Sequence, residues 1–240
     1  MVRLDDRHDV AALARDYQKY GHVHIPHLLV EQDAAALHQL LRERTDWRQV
    51  LTTSSGYVEL DRPTRAALDA DKAKALDDAV YAQARAGFQY RYESVRVPDA
   101  TAERAASDDA VAHFAQWLSL GEGGDFVRAV TGAADIRFAD AQATAYSPGD
   151  FLTGHDDQVA GKARRAAYVF GLTPVWRLEW GGLLLFHGAD GHVQRGLMPT
   201  MNSLNLFSVP QMHSVSEVTR AAAYRRYAVT GWLRAEAQPA

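Results

Sequence analysis

The segment Phe151-Leu152-Thr153-Gly154-His155-Asp156-Asp157-Gln158 sets an imidazole and a carboxylate two residues apart. On an extended strand, residues i and i+2 share a face, so His155 and Asp157 can turn toward one ligand while Asp156 turns away. Alone, His-x-Asp is a weak pattern in a chain with ten histidines, and its bland reading is a solvated polar turn. A second imidazole changes its meaning. Two neutral imidazoles and one carboxylate are the donor set that holds Fe(II) on one side and leaves positions open for a chelating oxoacid and dioxygen. His213, 56 residues beyond Asp157, follows several β-rich runs that could bring it back to the same mouth. His187, beside a Gly-Ala-Asp-Gly turn, and His192, just after it, are the poorer choices. A carboxylate-bearing co-substrate also needs a fixed cation, and arginine offers a planar fork that stays charged. Arg226 opens Arg-Tyr-Ala-Val-Thr-Gly-Trp, where alternation groups Arg226, Ala228, Thr230 and Trp232 on one face. Arg225 belongs to the other face and Arg220 to the preceding connection; both read as surface charge.

These residues need a scaffold, and the chain divides into two textures. In residues 1–134, helical spacing marks Asp9 to Tyr20, Glu31 to Arg44, Asp71 to Ala86, Ser107 to Leu120 and Asp125 to Val130. His22 to Ile25 reads as a short strand. Gly87 to Pro98, alternating aromatic and polar residues, reads as another. Thr52 to Asp61 reads as a polar connector, or as a substrate-facing loop if the resemblance given below extends to it. Residues 135–240 carry short β-rich runs at Ile136–Tyr146, Ala166–Leu172, Leu183–His187, Leu204–Val209 and Arg226–Leu233, separated by Ser-Pro-Gly and Gly-Gly turns. Many short strands with frequent turns predict a double-sheet jelly roll, a cupin-like double-stranded β-helix, with the N-terminal helices packed on it as part of the same domain. Trp176, Trp180 and Trp232 read as packing residues, with Trp180 bracing the Gly181-Gly182 bend.

Composition narrows the chemistry further. The 240 residues are enough to bury a full core without covalent staples. With no cysteine, thiolate nucleophiles, disulfides and zinc–thiolate clusters are excluded. The net charge of −4 and the lack of a basic–aromatic stripe argue against a nucleic-acid partner. A charged N-terminus and the lack of a long apolar run give no expectation of a membrane partner, and the reading is a cytoplasmic protein.

The order of parts resembles a known family. His155-x-Asp157, Trp180-Gly-Gly-Leu183, Pro199-x-x-Asn202, His213-Ser-Val-Ser-Glu-Val218 and Arg226-Tyr-Ala-Val-Thr-Gly-Trp232 are similar to the prolyl 4-hydroxylase-type branch of the Fe(II)/2-oxoglutarate dioxygenases, nearest the ribosomal-protein prolyl hydroxylase group. The resemblance covers residues 140 to 234 and, more thinly, Tyr20-Gly-His-Val-His-Ile25 and Trp47. It implies a jelly roll with iron on His155, Asp157 and His213, 2-oxoglutarate on Arg226, and Tyr146 lining the co-substrate pocket. Thr230 is expected as a hydroxyl donor near the same carboxylate. The implied cofactors are Fe(II), 2-oxoglutarate and O2, with ascorbate as a candidate reductant. The implied activity is hydroxylation of a prolyl residue in a protein or peptide. A free amino acid or other small metabolite is the alternative substrate, and a non-catalytic cupin-like module or a nucleic-acid dealkylase are readings of other classes. Two positions depart from the family pattern. Gly171 stands where a tyrosine usually reaches the far carboxylate, with Tyr146 or Thr230 as substitutes, and Asn205 replaces an aliphatic residue.

Overall fold

The computed structural model describes residues 2–53 and 56–235. Helix α1 (Val10–Tyr20) begins where the Asp9 carboxylate accepts from the Ala12 N–H and stops at Gly21, whose left-handed backbone returns its N–H to the Tyr17 carbonyl. Strand β1 (His22–Pro26) and α2 (Glu31–Glu43) follow, the helix burying Ala34, Leu37 and Leu41. The connector expected at Thr52 to Asp61 is instead most of a hairpin. Strands β2 (Arg48–Thr53) and β3 (Gly56–Asp61) pair from Arg48↔Asp61 to Thr53↔Gly56, and Ser54 and Ser55 lie outside the described residues. The polar character of this stretch reflects its open face; β2 also pairs with β4 (Tyr90–Arg96), which makes the hairpin an extension of the main sheet.

Between them lie a short α3 (Arg62–Ala66) and α4 (Ala70–Ala86), which buries only Val80. Helices α5 (Thr101–Ala105), α6 (Ala110–Leu120) and α7 (Glu122–Thr131) complete the helical layer. The run Ile136–Tyr146 is broken into β5 (Phe138–Ala139) and β6 (Gln142–Tyr146) at Asp140, whose N–H bonds Trp232 across the bend. The remaining strands are β7 (Phe151–His155), β8 (Arg164–Leu172), β9 (Leu184–His187), β10 (Val193–Leu197), β11 (Met201–Ser208), β12 (His213–Val215) and β13 (Arg226–Arg234).

All strand pairings among the described residues are antiparallel, in the order β1-β11-β8-β13-β6-β4-β7-β12-β9-β10. The sheet curls at the β4–β7 junction, so the six strands from β1 to β4 face the four from β7 to β10. This is the jelly roll. Strand β8 explains its own apolar run. Tyr168 and Phe170 meet the helices, where Phe114 stacks on Phe170 at 5.0 Å, while Ala167 and Val169 meet Phe186 and Phe207. The helix-side core takes residues from both sides of position 134, and β1 to β4 from the N-terminal part are members of the sheet.

Candidate metal centre

The structure brings His155, Asp157 and His213 together, their donor atoms all within 4.8 Å of one another. Strand pairing accounts for the two histidines, since His213 on β12 lies opposite His155 on β7. It does not account for Asp157. Strand β7 ends at His155, and Asp157 sits beyond it with φ 63°, a left-handed backbone uncommon outside glycine. Asp157 is therefore not, as expected, a same-face neighbour of His155 on an extended strand. Asp157 reaches the site because the chain turns back on itself, and Arg164 donates to the Asp157 carbonyl at 2.7 Å to hold that turn.

The two imidazoles are oriented alike. His155 Nδ1 lies 2.9 Å from the Thr153 carbonyl and His213 Nδ1 lies 2.8 Å from the Gln211 carbonyl. A carbonyl can only accept, so each ring carries its proton on Nδ1 and presents an Nε2 lone pair inward. Both Nε2 atoms stand 3.4 Å from the Asp157 carboxylate. Burial, followed by the charge of His155, pushes His213 down to about 4, so its ring is neutral at pH 7. Burial works against ionisation of Asp157, but the two adjacent imidazoles, His155 first, outweigh it and hold its carboxyl below the usual range. Two lone pairs and a carboxylate thus converge with no proton to share. A divalent cation fits that donor set, and an oxygen-and-nitrogen set of this kind suits iron. His187 bonds Ser214 instead, and His192 is exposed in its turn.

The triad opens on a cavity of about 270 Å³ between the two layers of the jelly roll. Its floor follows from register. Arg226 pairs with Tyr146, and Tyr92 stacks on Tyr146 at 5.0 Å. Four residues along, Thr230 pairs with Gln142, and Gln142 with Arg96. At the strand rise of about 3.3 Å per residue, these two rows lie about 13 Å apart. Between them stand the small side chains of Thr144 and Ser94, with Ala228 alongside. Thr230, expected beside the same carboxylate as Arg226, is therefore at the opposite end, where it accepts from Gln142 at 3.4 Å.

At the closed end, Arg226 is buried and its guanidinium carbon lies 4.8 Å from the Tyr146 ring centroid. Its Nε has no hydrogen-bond partner. Burial lowers its pKa, yet arginine stays charged. Burial likewise raises the Tyr146 hydroxyl well above its ordinary value, so that hydroxyl stays protonated. A buried cation with a free N–H beside a protonated hydroxyl fits a carboxylate. The Gly-Gly bend makes room for it. A Cβ on Gly182 (φ 64°) would stand 3.3 Å from Arg226 Cδ, and one on Gly181 would strike the Glu217 carbonyl at 2.0 Å. Trp176, rather than Trp180, ties this bend by donating to the Gly181 carbonyl at 2.9 Å. At Gly171 a Cβ would lie 2.5 Å from the Thr200 carbonyl, so no side chain fits there, and Tyr146 is the hydroxyl found beside Arg226. The Asn205 amide is accounted for by His24, whose Nδ1 donates to it at 2.7 Å. Arg225 is not simple surface charge: it pairs with the buried Glu93 at 2.9 Å.

Comparison with known proteins agrees with this geometry. Residues 141–234 match the model of the 2OG-Fe(II) oxygenase superfamily. This segment is similar to the 2OG-Fe(II) oxygenases. That superfamily works with Fe(II), 2-oxoglutarate and O2. Over 127 residues, half of the chain, the sequence is 32% identical to the mouse (Mus musculus) prolyl 3-hydroxylase OGFOD1; the match spans only 21% of that protein. Among solved structures, a Pseudomonas putida prolyl-4-hydroxylase superposes with a TM-score of 0.61 at 19% identity, covering 94% of this chain and 98% of the other. A Trichoplax adhaerens prolyl hydroxylase, solved with a peptide of hypoxia inducible factor, gives 0.59 at 14% identity over 94% and 88%. At these identities the structural likeness speaks for the fold, a prolyl-4-hydroxylase-type jelly roll.

Sequence reasoning missed the residues that line the other half of the cavity: Phe88, Tyr90, Tyr92, Arg96 and Gln142. The alternation in Gly87–Pro98 identified a strand with an aromatic face, but nothing in the sequence disclosed that this strand pairs with β6 and β7 and so turns that face toward the triad.

Proposed function

We propose that this chain is an Fe(II)- and 2-oxoglutarate-dependent dioxygenase that hydroxylates a prolyl residue of a protein or peptide. The observation that carries the reading is the pairing of two unmet needs in one cavity: a convergent, proton-free His155/Asp157/His213 set, and a buried Arg226 with a free Nε. Fe(II) bound by the triad, together with 2-oxoglutarate and O2, supplies the oxidising chemistry for an unactivated C–H bond and releases succinate and CO2.

The chain's own residues bind and orient. The Thr153 and Gln211 carbonyls fix both imidazole tautomers before any metal arrives, so ligation displaces no proton from Nε2. Arg226 and Tyr146 receive the distal carboxylate of the co-substrate, and Gly182 keeps that guanidinium clear. Arg164 holds Asp157 in its turn. No side chain is required as a general base for the C–H step. Phe88, Tyr90 and Tyr92 form an aromatic run, with ring centroids 5.6 Å apart at each step, leading from His155 into the cavity. Such faces suit the flat, apolar ring of proline. The relatives support a peptide: one is named a prolyl 3-hydroxylase and another was solved with a peptide fragment.

The test is succinate release with Fe(II) and 2-oxoglutarate across proline-containing peptides and free amino acids. Turnover with a peptide, and its loss in Asp157→Ala, is the expected result. Turnover confined to a free amino acid would move the substrate to the small-metabolite class, and wild-type turnover in Asp157→Ala would remove the ligand set.

A further inference from the structure

Of the two ends of the cavity, the Arg226 end is matched to a co-substrate. The other holds a cation with nothing assigned to it. Arg96 is the last residue of β4, exposed, on the inner face beside Gln142, and it lines the cavity. Among the described residues its guanidinium makes no hydrogen bond and no ion pair. On the β2–β3 hairpin, Glu59 already accepts from the Tyr57 hydroxyl. A second cation, Arg164, lies near this end with its guanidinium carbon 3.6 Å from the centroid of the Trp232 ring; its Nη1 is committed to the Asp157 carbonyl and its buried Nε has no partner. Gln142 adds an amide N–H that makes only long contacts, 3.5 Å to Tyr92 and 3.4 Å to Thr230. An uncommitted planar fork and a loosely held donor thus gather about 13 Å along the floor from Arg226, by the strand rise.

We infer that this end is a specificity subsite for a carboxylate of the substrate, with Arg96 as the residue that binds it. The inference rests on the dioxygenase reading and adds a substrate class to it: a prolyl compound bearing an acidic group close to the residue that is hydroxylated. The aromatic faces of Tyr90 and Tyr92 hold the apolar part, and Arg96 reads the acid. A guanidinium on a rigid strand receives a carboxylate in two parallel hydrogen bonds and discriminates against the isosteric amide, which offers one acceptor and two unwanted donors. The carboxylate has two sources, an Asp side chain within a peptide or the free α-carboxylate of a small molecule.

The experiment compares matched probes. Acetylated hexapeptides with one proline carry Asp or Asn at each neighbouring position in turn, and N-acetylproline is set against its amide. Binding to the metal-free protein is followed by tryptophan fluorescence, and succinate release by the Fe(II)-loaded protein is measured alongside. Wild type is expected to favour at least one acidic probe over its amide by about 10-fold, the value of one charge-assisted contact of about 1.4 kcal/mol. A preference among the hexapeptides identifies a peptide acid, and one confined to N-acetylproline identifies a free acid. Arg96→Gln is expected to erase the preference, and Arg96→Glu to turn it toward a Lys-containing peptide. Equal binding of acid and amide by wild type, or a preference that survives in Arg96→Gln, overturns the subsite. Failure of the parent reading looks different. Mn(II) with 2-oxoglutarate would then leave the melting temperature of wild type unchanged, while the acid-over-amide preference of the metal-free protein would still be scored on its own.

Discussion

Arg225 and Arg226 are neighbours in sequence and opposites in environment. Arg226 points into the jelly roll, buried, with its Nε unmatched. Arg225 points to the helix side and closes on Glu93, whose carboxylate is also held by Arg62 at 2.9 Å and Arg65 at 3.1 Å. Glu93 and Tyr92 repeat the contrast on β4: one is saturated by three cations, while the other lines a cavity. Successive residues of a strand serve opposite faces of a sheet, and here the faces have different duties. On the outer face Glu93 and its three arginines answer one another, which binds α3 and the start of β13 to β4. On the inner face several are left open, and those are the residues assigned to chemistry. An unanswered buried polar group costs stability.

The contrast can be broken by exchanging what each face loses. Asp157→Ala and His213→Ala should bring succinate release to background while thermal unfolding stays near wild type, because a divalent site loses a third of its protein donors and the fold loses little. Arg226→Gln should leave some turnover but raise the KM for 2-oxoglutarate about 100-fold, the scale of removing one partner from a buried charged contact. Titration of the co-substrate in the succinate assay measures it. Glu93→Gln should do the reverse, lowering unfolding free energy by on the order of 3 kcal/mol in urea while any residual folded enzyme keeps its KM for 2-oxoglutarate.

The same residue carries a pH signature. Burial opposes ionisation of Glu93, but Arg62, Arg225 and Arg65 prevail and hold its carboxyl below its ordinary 4.5. Its stabilisation is therefore complete at neutral pH and fades as the pH falls below about 4.5 through the folded-state value. Wild type should lose stability over that acid window more steeply than Glu93→Gln, as urea titrations at stepped pH would show. Arg225→Ala is the mildest case. Two arginines remain on the carboxylate and the side chain is itself 34% exposed, so a loss under about 1 kcal/mol is expected in the same titration.

What the sequence disclosed follows the range of the interactions involved. Helices with an Asp cap and a Gly stop, such as α1, are written locally, and so is the apolar run of β8. The triad's membership was legible from residue types and order, because few donor sets suit open-sided iron. The route by which Asp157 arrives was not, since a left-handed residue held by Arg164 depends on a contact seven positions away. The β2–β3 hairpin hid behind its polar open face. Thr230 was misplaced for a related reason: alternation gives the face of a strand correctly but says nothing of distance along it. Arg225 read as solvent charge because its partner, Glu93, is 132 positions distant.

The row of Thr144 and Ser94, with Ala228 beside it, has a consequence for how this scaffold can change. Those small side chains hollow the middle of the floor, between the Arg226 row and the Arg96 row. A few added methylene groups there would shorten the chamber while both anchors stayed in place. Length selectivity and reaction chemistry are thus separable inheritances in this barrel, open to independent tuning by drift or by design.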